Sequence, residues 1–347
     1  MGTAGLSSAA AQMRTRARAR APVFVVGSPR SGTTLLYHMI LSAGNFALYR
    51  SETHIFNVFA PHYGNLAVRG NRQKMVDEWL QSKYFKLAGL DAEETRAHLM
   101  RDCGNPGDFL CIVMESIARS QKVERWAENT PEHVLYLREI KRTIPEALFI
   151  HIIRDGRDVA LSLDKKRWVQ SFPWDRKQGP LVCGLYWEWM VRAGRKAGPL
   201  LGPDYMEVRY EDLVQEPRQT LARIGQFIEH DLDYDHILQV GIGSVSEPET
   251  SFPGNHAESP FNPVGRWKNS LPPKQLARLE RLLAPCLTEL GYPLSQPEDA
   301  LLSSPRLRLV RAQYLAYFSF RLWLKSSLPF ARHLVDVQWL REHSAAL

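Results

Sequence analysis

Pro22-Val23-Phe24-Val25-Val26-Gly27-Ser28-Pro29-Arg30-Ser31-Gly32-Thr33-Thr34-Leu35-Leu36 runs from a continuous apolar stretch through a glycine loop into residues with helical spacing. Val23 to Val26 are apolar and mostly β-branched, which is the pattern of a strand buried on both faces of a parallel sheet. Leu35, Leu36, Met39, Ile40 and Ala43 recur at i, i+3 and i+4, so Thr34 to Ala43 is expected to be a helix with one face on that sheet. Strand, loop and helix start bring several free N–H groups and a partial positive charge to one point, which suits an anion. Gly27 to Thr34 has the spacing of a G-x-x-x-x-G-K-[ST] loop, but Thr33 stands where the lysine belongs. In such a loop the lysine reaches the β and γ phosphates and the last hydroxyl holds magnesium. Thr33 cannot neutralise a triphosphate, and Thr34 alone is a weak magnesium site. With Arg30 added, the loop suits an adenosine nucleotide carrying one 5′-phosphate, with no metal.

Outward from the loop, Ala147 to Ile153 is a second apolar strand, followed by a turn at Asp155-Gly156 and a helix through Val159 to Leu163. Tyr205 to Tyr210 reads as a third strand. The next helix starts near Pro217, a good first-turn residue, and carries Leu221, Ile224, Phe227 and Ile228. This alternation predicts an α/β fold, a parallel sheet flanked by helices of the P-loop NTPase-like kind. Residues 44 to 128 and 165 to 203 show no strand signal and are rich in Trp, Tyr and Phe. Such insertions at the loop side of a parallel sheet are expected to shape an acceptor pocket. At the end of the second strand, Arg154 precedes Ser162 by eight residues, so an arginine and a helical serine can converge on one anion.

The 347 residues suit one large α/β domain with extensions, and the formal net charge of +7 favours anionic ligands. Much of that excess lies in the run Arg14, Arg16, Arg18 and Arg20, so nucleic-acid binding is not implied. The expected organisation is a disordered basic tail over 1–21, a catalytic domain over 22–295 and a helical C-terminal extension over 296–347. Cys103, Cys111, Cys183 and Cys286 are scattered, which points to buried reduced thiols in a cytoplasmic protein rather than zinc or a disulfide framework. No run of eighteen apolar residues exists, so no membrane span is predicted. Arg306 to Leu324 mixes arginines with apolar residues around much of a helix. Packing on the domain or in a homodimer is the favoured expectation, with peripheral contact to an anionic membrane as the alternative.

These motifs, in this order, resemble those of sulfotransferases that use 3′-phosphoadenosine 5′-phosphosulfate, over roughly residues 22 to 290. Pro29 to Thr34 resembles the family's 5′-phosphosulfate loop in the arginine-containing form of the tyrosylprotein and related bacterial enzymes. Arg154 to Ser162 resembles the 3′-phosphate motif, and Tyr210-Glu211-Asp212-Leu213 a strand-end segment whose tyrosine contacts the adenine side. Gly265-Arg266-Trp267-Lys268 resembles a late segment that closes over the cofactor through a basic residue. The resemblance implies donor binding by Arg30, Ser31, Gly32, Thr33, Thr34, Arg154, Ser162, Tyr210 and Arg266, without a metal. It also implies transfer to a hydroxyl acceptor, with Arg30 stabilising charge at the transferring group and Glu52 as general base. In Ser51-Glu52-Thr53 that glutamate sits one residue further from the loop than in the relatives.

His54 and His133 are alternative bases. Asn129 stands where many relatives carry a lysine before Thr-Pro, and Pro131 where the cytosolic branch carries a histidine. Two other function classes are weighed against sulfonyl transfer. A P-loop kinase of a nucleotide or metabolite would need ATP and magnesium, which Thr33 and the lack of a clear Walker-B aspartate oppose. A non-catalytic nucleotide-binding protein is motivated by Asn129 and the C-terminal helix.

Overall fold

The computed structural model describes residues 18–169, 171–172, 179–246, 263–295 and 305–327. Strand β1 (Val23–Gly27) is buried on both faces because its side chains alternate between two cores. Phe24 and Val26 enter one and Val23 and Val25 the other. Helix α1 (Thr33–Ser42) follows at once, one residue earlier than its apolar spacing predicts.

A helical insertion comes next, with α2 (Arg69–Gln81), α3 (Lys83–Ala88), α4 (Ala92–Asp102) and α5 (Pro106–Ser120). Helix α5 starts where its sequence requires: Asn105 accepts from the Gly107 and Asp108 amides, Asp108 answers the Asn105 amide, and Pro106 takes the first position. The insertion ends in a strand that the sequence reading of 44 to 128 does not contain, β2 (Ala127–Glu128). Two residues are too few for any period-two signal.

The rest of the chain runs α6 (Leu137–Thr143), β3 (Leu148–Ile153), α7 (Gly156–Lys166), α8 (Gly179–Ala197), β4 (Tyr205–Arg209), α9 (Tyr210–Gln215) and α10 (Pro217–Ile228). It closes with α11 (Tyr234–Val240), α12 (Trp267–Ser270), α13 (Pro273–Glu289) and α14 (Pro305–Ser327).

The four strands form one parallel sheet in the order β2-β1-β3-β4, with Val23 opposite Leu148 and Phe149 opposite Tyr205. In a parallel sheet every strand ends at the same edge. The segments after β1, β3 and β4 therefore meet there, and these are the loop at Ser28, the turn at Arg154 and the start of α9 at Tyr210.

Much of 165–203 is scaffold rather than pocket wall. Trp187 and Glu188 of α8 are fully buried against α7 and α13, while Tyr186 and the Lys166 to Val169 turn face a cavity. Arg18, read from sequence as part of a disordered tail, is held instead: its Nε donates to the Phe227 carbonyl at 2.7 Å and its guanidinium pairs with Asp204 at 2.8 Å. Residues 1–17 of that tail lie outside the described residues. Helix α14 packs on the domain through buried Tyr314 and Phe318, with Arg311 Nε donating to Glu188 at 2.9 Å. All four cysteines are free thiols.

Candidate active site

The loop closes against the sheet edge so tightly that its two glycines have no room for side chains. A Cβ on Gly27 would stand 2.5 Å from the Ile152 carbonyl oxygen of β3. Gly32, at φ +94, would place one 2.2 Å from the Tyr210 ring. Tyr210 therefore lies across the loop, and the Arg154 guanidinium sits 4.6 Å from the centre of its ring.

Arg154 donates to the Arg30 carbonyl at 3.1 Å and to the Pro263 carbonyl at 2.6 Å, and its buried Nε has no partner. Arg30 occupies φ 71, a region that costs an L-residue about 1–2 kcal/mol. Its Nε donates to Ser162 Oγ at 2.9 Å, and its guanidinium lies 5.6 Å from the Trp168 ring. The arginine and serine of the second motif thus both bond to the first loop. The buried hydroxyl of Ser31 has no protein partner, and the first-turn amides of α1 at Thr33 and Thr34 have no acceptor within the helix. Unspent donors at a helix start, beside a buried guanidinium, suit phosphate oxygens.

The late segment joins them through Asp158. That carboxylate accepts from the Gly265 amide at 2.8 Å and the Trp267 amide at 3.0 Å, which holds Arg266 next to Arg154 and Tyr210. Burial lowers the Arg266 pKa, and the charge of Arg154 lowers it further. Two guanidiniums at close quarters favour an anion between them.

The motif's other arginine has a different fate. Arg157 is buried, pairs with Asp155 at 2.7 Å and Glu280 at 2.5 Å, and lies 3.7 Å over the Trp267 ring, whose indole N–H donates to Asp155 at 3.1 Å. Each of the three guanidinium nitrogens of Arg157 bonds to scaffold, whereas Arg154 keeps its Nε.

Across from the loop is a cavity of about 790 Å³ whose walls include Thr34, Glu52, Lys83, Asn129, Trp168 and Tyr186. The Glu52 carboxylate stands at its surface, 37% exposed, with Oε2 3.2 Å from His54 Nε2. Asn57 Nδ2 donates to His54 Nδ1 at 3.2 Å, which leaves Nε2 as the protonated nitrogen facing Glu52. Burial depresses the His54 pKa to about 3, so this contact is a hydrogen bond from a neutral ring.

Glu132 completes the cluster, its oxygen and the Glu52 and His54 atoms all within 4.8 Å of one another. Glu52 is held well above the usual carboxylate range, by desolvation first and then by the charges of Glu132 and Glu128; Lys83 and Arg30 oppose the shift. A carboxylate so placed takes up a proton more readily than a solvated one.

Behind the cluster, Glu128 accepts from Thr53 Oγ1 at 2.8 Å and from Thr130, and pairs with His133 at 2.9 Å. Burial alone would raise the Glu128 pKa, but His133 and these hydrogen bonds together bring it below the ordinary value. His133 is fully buried and committed to this network, so it anchors the segment and does not face the cavity. Thr130 Oγ1 also accepts from the Thr53 amide at 3.0 Å, which pins Glu52 to the β2 end. Asn129 is 4% exposed, with an unpartnered side-chain oxygen.

Arg30, Ser31, Gly32, Thr33, Thr34, Arg154, Ser162, Tyr210 and Arg266 thus gather around one loop, and Glu52 shares a cavity with Thr34. The contributions of Glu132, Lys83 and Asp158 carry no such signal in the sequence, and His54, read there as an alternative base, instead donates to Glu52. Glu132 is remote from Glu52 along the chain, and Asp158 reads as one more charge in a charged turn.

Comparison with known proteins gives a consistent result. The sulfotransferase family model matches residues 22–234. Protein-tyrosine sulfotransferase A of Caenorhabditis elegans is 25% identical over 282 residues, covering 78% of this chain and 67% of its own. A putative protein-tyrosine sulfotransferase of Caenorhabditis briggsae is 25% identical over 281 residues, covering 79% of this chain and 89% of its own. Among solved structures, the sulfotransferase domain from the curacin biosynthetic pathway aligns with TM-score 0.48 and 19% identity, over 79% of this chain and 98% of that one.

Proposed function

The chain belongs to the sulfotransferase family, and from that premise we propose that it transfers a sulfonyl group from 3′-phosphoadenosine 5′-phosphosulfate to a hydroxyl-bearing acceptor. Ser31, Gly32, Thr33 and Thr34, with the start of α1, hold the 5′ end of the donor. Arg154, Ser162 and Arg266 hold the 3′-phosphate, and Tyr210 lies on the adenine side. The donor supplies a sulfur–oxygen bond whose leaving group is a phosphate oxygen. A bond forms from the acceptor oxygen to sulfur, the bridging bond breaks, and its electron pair stays on the 5′-phosphate while the acceptor proton passes to Glu52. Arg30 offsets the charge that grows at the bridge. His54 orients the Glu52 carboxylate through its Nε2–H.

The observation that carries this assignment is the second anion site. Arg154 is buried with an unspent Nε, beside Arg266 and against the same loop that lacks a lysine at Thr33. A β,γ-phosphate pair with magnesium needs that lysine; a 5′,3′ pair needs two separate cradles. The Arg30–Ser162 hydrogen bond joins groups assigned to different ends of the donor, so donor binding exchanges it for contacts to the ligand.

The C. elegans and C. briggsae relatives are named for protein tyrosine, which makes tyrosine peptides the first acceptors to supply, with phenols, glycans and lipids beside them. Incubation with isotope-labelled donor, read by mass spectrometry, should give an acceptor that gains one SO₃ group, together with released adenosine 3′,5′-bisphosphate. Glu52→Gln should lower turnover about 10²–10⁴-fold while leaving bisphosphate affinity unchanged. Turnover that survives this substitution removes Glu52 as the base, and ATP-dependent transfer in its stead removes the sulfonyl reading.

A further inference from the structure

Helix α14 has two unlike faces. Tyr314 and Phe318 point inward and are buried, and Arg311 reaches in to Glu188. Outward, Leu309, Phe320 and Trp323 are 59%, 55% and 53% exposed, and Phe320 stacks on Trp323 with ring centres 5.9 Å apart. Ala312 and Ala316 are exposed between them. The spacing of 309, 312, 316, 320 and 323 places all five on one stripe of the helix. Arg306 and Arg308 are exposed on either side of that stripe, and residues 305–327 contain no aspartate or glutamate.

We propose that the outward face of α14 docks on an anionic lipid surface, lying flat with Leu309, Phe320 and Trp323 among the acyl chains and Arg306 and Arg308 at the headgroups. A partner for this face must be apolar in its interior and negative at its boundary, which describes such a bilayer. A second copy meeting this face with its own α14 would offer Arg306 and Arg308 no negative charge, because residues 305–327 hold no carboxylate side chain. The 23-residue helix is about 35 Å long at 1.5 Å per residue. Among the described residues no helix is long and apolar enough to cross a membrane, so contact here is along the surface. Phe318, on the inner face, meets Tyr186 edge-on at 5.4 Å, and Tyr186 lines the active-site cavity. Docking would therefore set that cavity about one helix thickness, roughly 10 Å, from the lipid boundary. Nothing in this proposal depends on which donor or acceptor the site takes.

Flotation of the full-length protein with vesicles tests it. Binding is expected to mixed phosphatidylcholine–phosphatidylglycerol vesicles and to be far weaker with phosphatidylcholine alone. Arg306→Gln with Arg308→Gln should weaken it roughly fivefold per arginine. Phe320→Ser with Trp323→Ser should abolish it, and unchanged thermal melts would show that both double variants fold. Absence of binding to the anionic vesicles, or equal binding by either double variant, overturns the proposal. Two further measurements bear on other occupants. Hydroxyl-radical labelling of the free monomer should modify Phe320 and Trp323 readily, and protection there would mean that the chain covers its own helix. Light scattering should find no dimer that the Phe320→Ser/Trp323→Ser variant dissolves; finding one would assign the face to self-association.

Discussion

Replacing Gly32 by alanine probes the join between the two anion sites, because one methyl group disturbs both. At φ +94 an alanine pays about 1–2 kcal/mol for a backbone shape that L-residues avoid. Its Cβ would also stand 2.2 and 2.5 Å from two carbons of the Tyr210 ring, far inside contact distance, so the ring must swing away. Tyr210 supports the Arg154 guanidinium at 4.6 Å, and losing that face costs roughly 0.5–2 kcal/mol more. The two losses sum to about 1.5–4 kcal/mol, divided between stability and ligand affinity. Calorimetry of adenosine 3′,5′-bisphosphate binding and a denaturant melt measure the two parts. Tyr210→Ala in the Gly32→Ala background removes the clash and leaves the backbone cost, so the pair should be non-additive by about 0.5–3 kcal/mol. If Gly32→Ala kept both quantities within about 0.5 kcal/mol of the parent, the packing of Tyr210 on the loop would not matter to donor binding.

As the proposed base, Glu52 would act when deprotonated, so turnover should rise with pH through a limb above the usual carboxylate range, since burial, Glu132 and Glu128 all raise that pKa. Glu132→Gln should move the limb to lower pH in a kcat–pH profile, and an unmoved limb would exclude electrostatic coupling between the two. Asp158→Asn keeps one acceptor for the two amides of the late segment and loses a charged bond of about 1.5–3 kcal/mol. Bisphosphate affinity should fall at least tenfold, and unchanged affinity would separate that segment from the donor site. His54 and His151 are both depressed to about 3 by burial, so between pH 6.5 and 3 the unfolded chain binds protons that the folded one does not. Stability should fall as pH drops through that window, and His151→Gln should flatten the slope; an equal slope in both proteins would contradict the assignment. Activity should persist in EDTA, and its loss there would point to a metal at the Glu52, His54 and Glu132 cluster.

The first strand, loop and helix were legible because burial on both faces leaves an unbroken apolar run and a close loop leaves glycine no substitute. The same holds for β3 and for the helix that begins at Pro217. Strand β2 was invisible because pairing to β1, rather than any pattern of its own, makes two residues a strand. Arg154 and Arg157 look alike in a charged turn, and only packing separates the one with a spare donor from the one locked between Asp155, Glu280 and Trp267. The cluster at Glu52 was half legible. A glutamate after the first helix has a spacing to compare, whereas Glu132 arrives from the far side of the insertion. The basic run misled at its end, because Arg18 finds Asp204 and a carbonyl of α10, both remote in sequence.

The locking of Arg157 also bears on the order in which the chain comes off the ribosome. Its guanidinium belongs to the turn after β3, but the Trp267 ring and the Glu280 carboxylate that enclose it are made more than a hundred residues later. A chain that ends before them keeps the Arg157–Asp155 pair but leaves the guanidinium open to water where the finished protein buries it. Packing of α12 and α13 is thus what buries that charge. A truncation before Trp267 would leave it uncovered while leaving every residue of the opening loop intact.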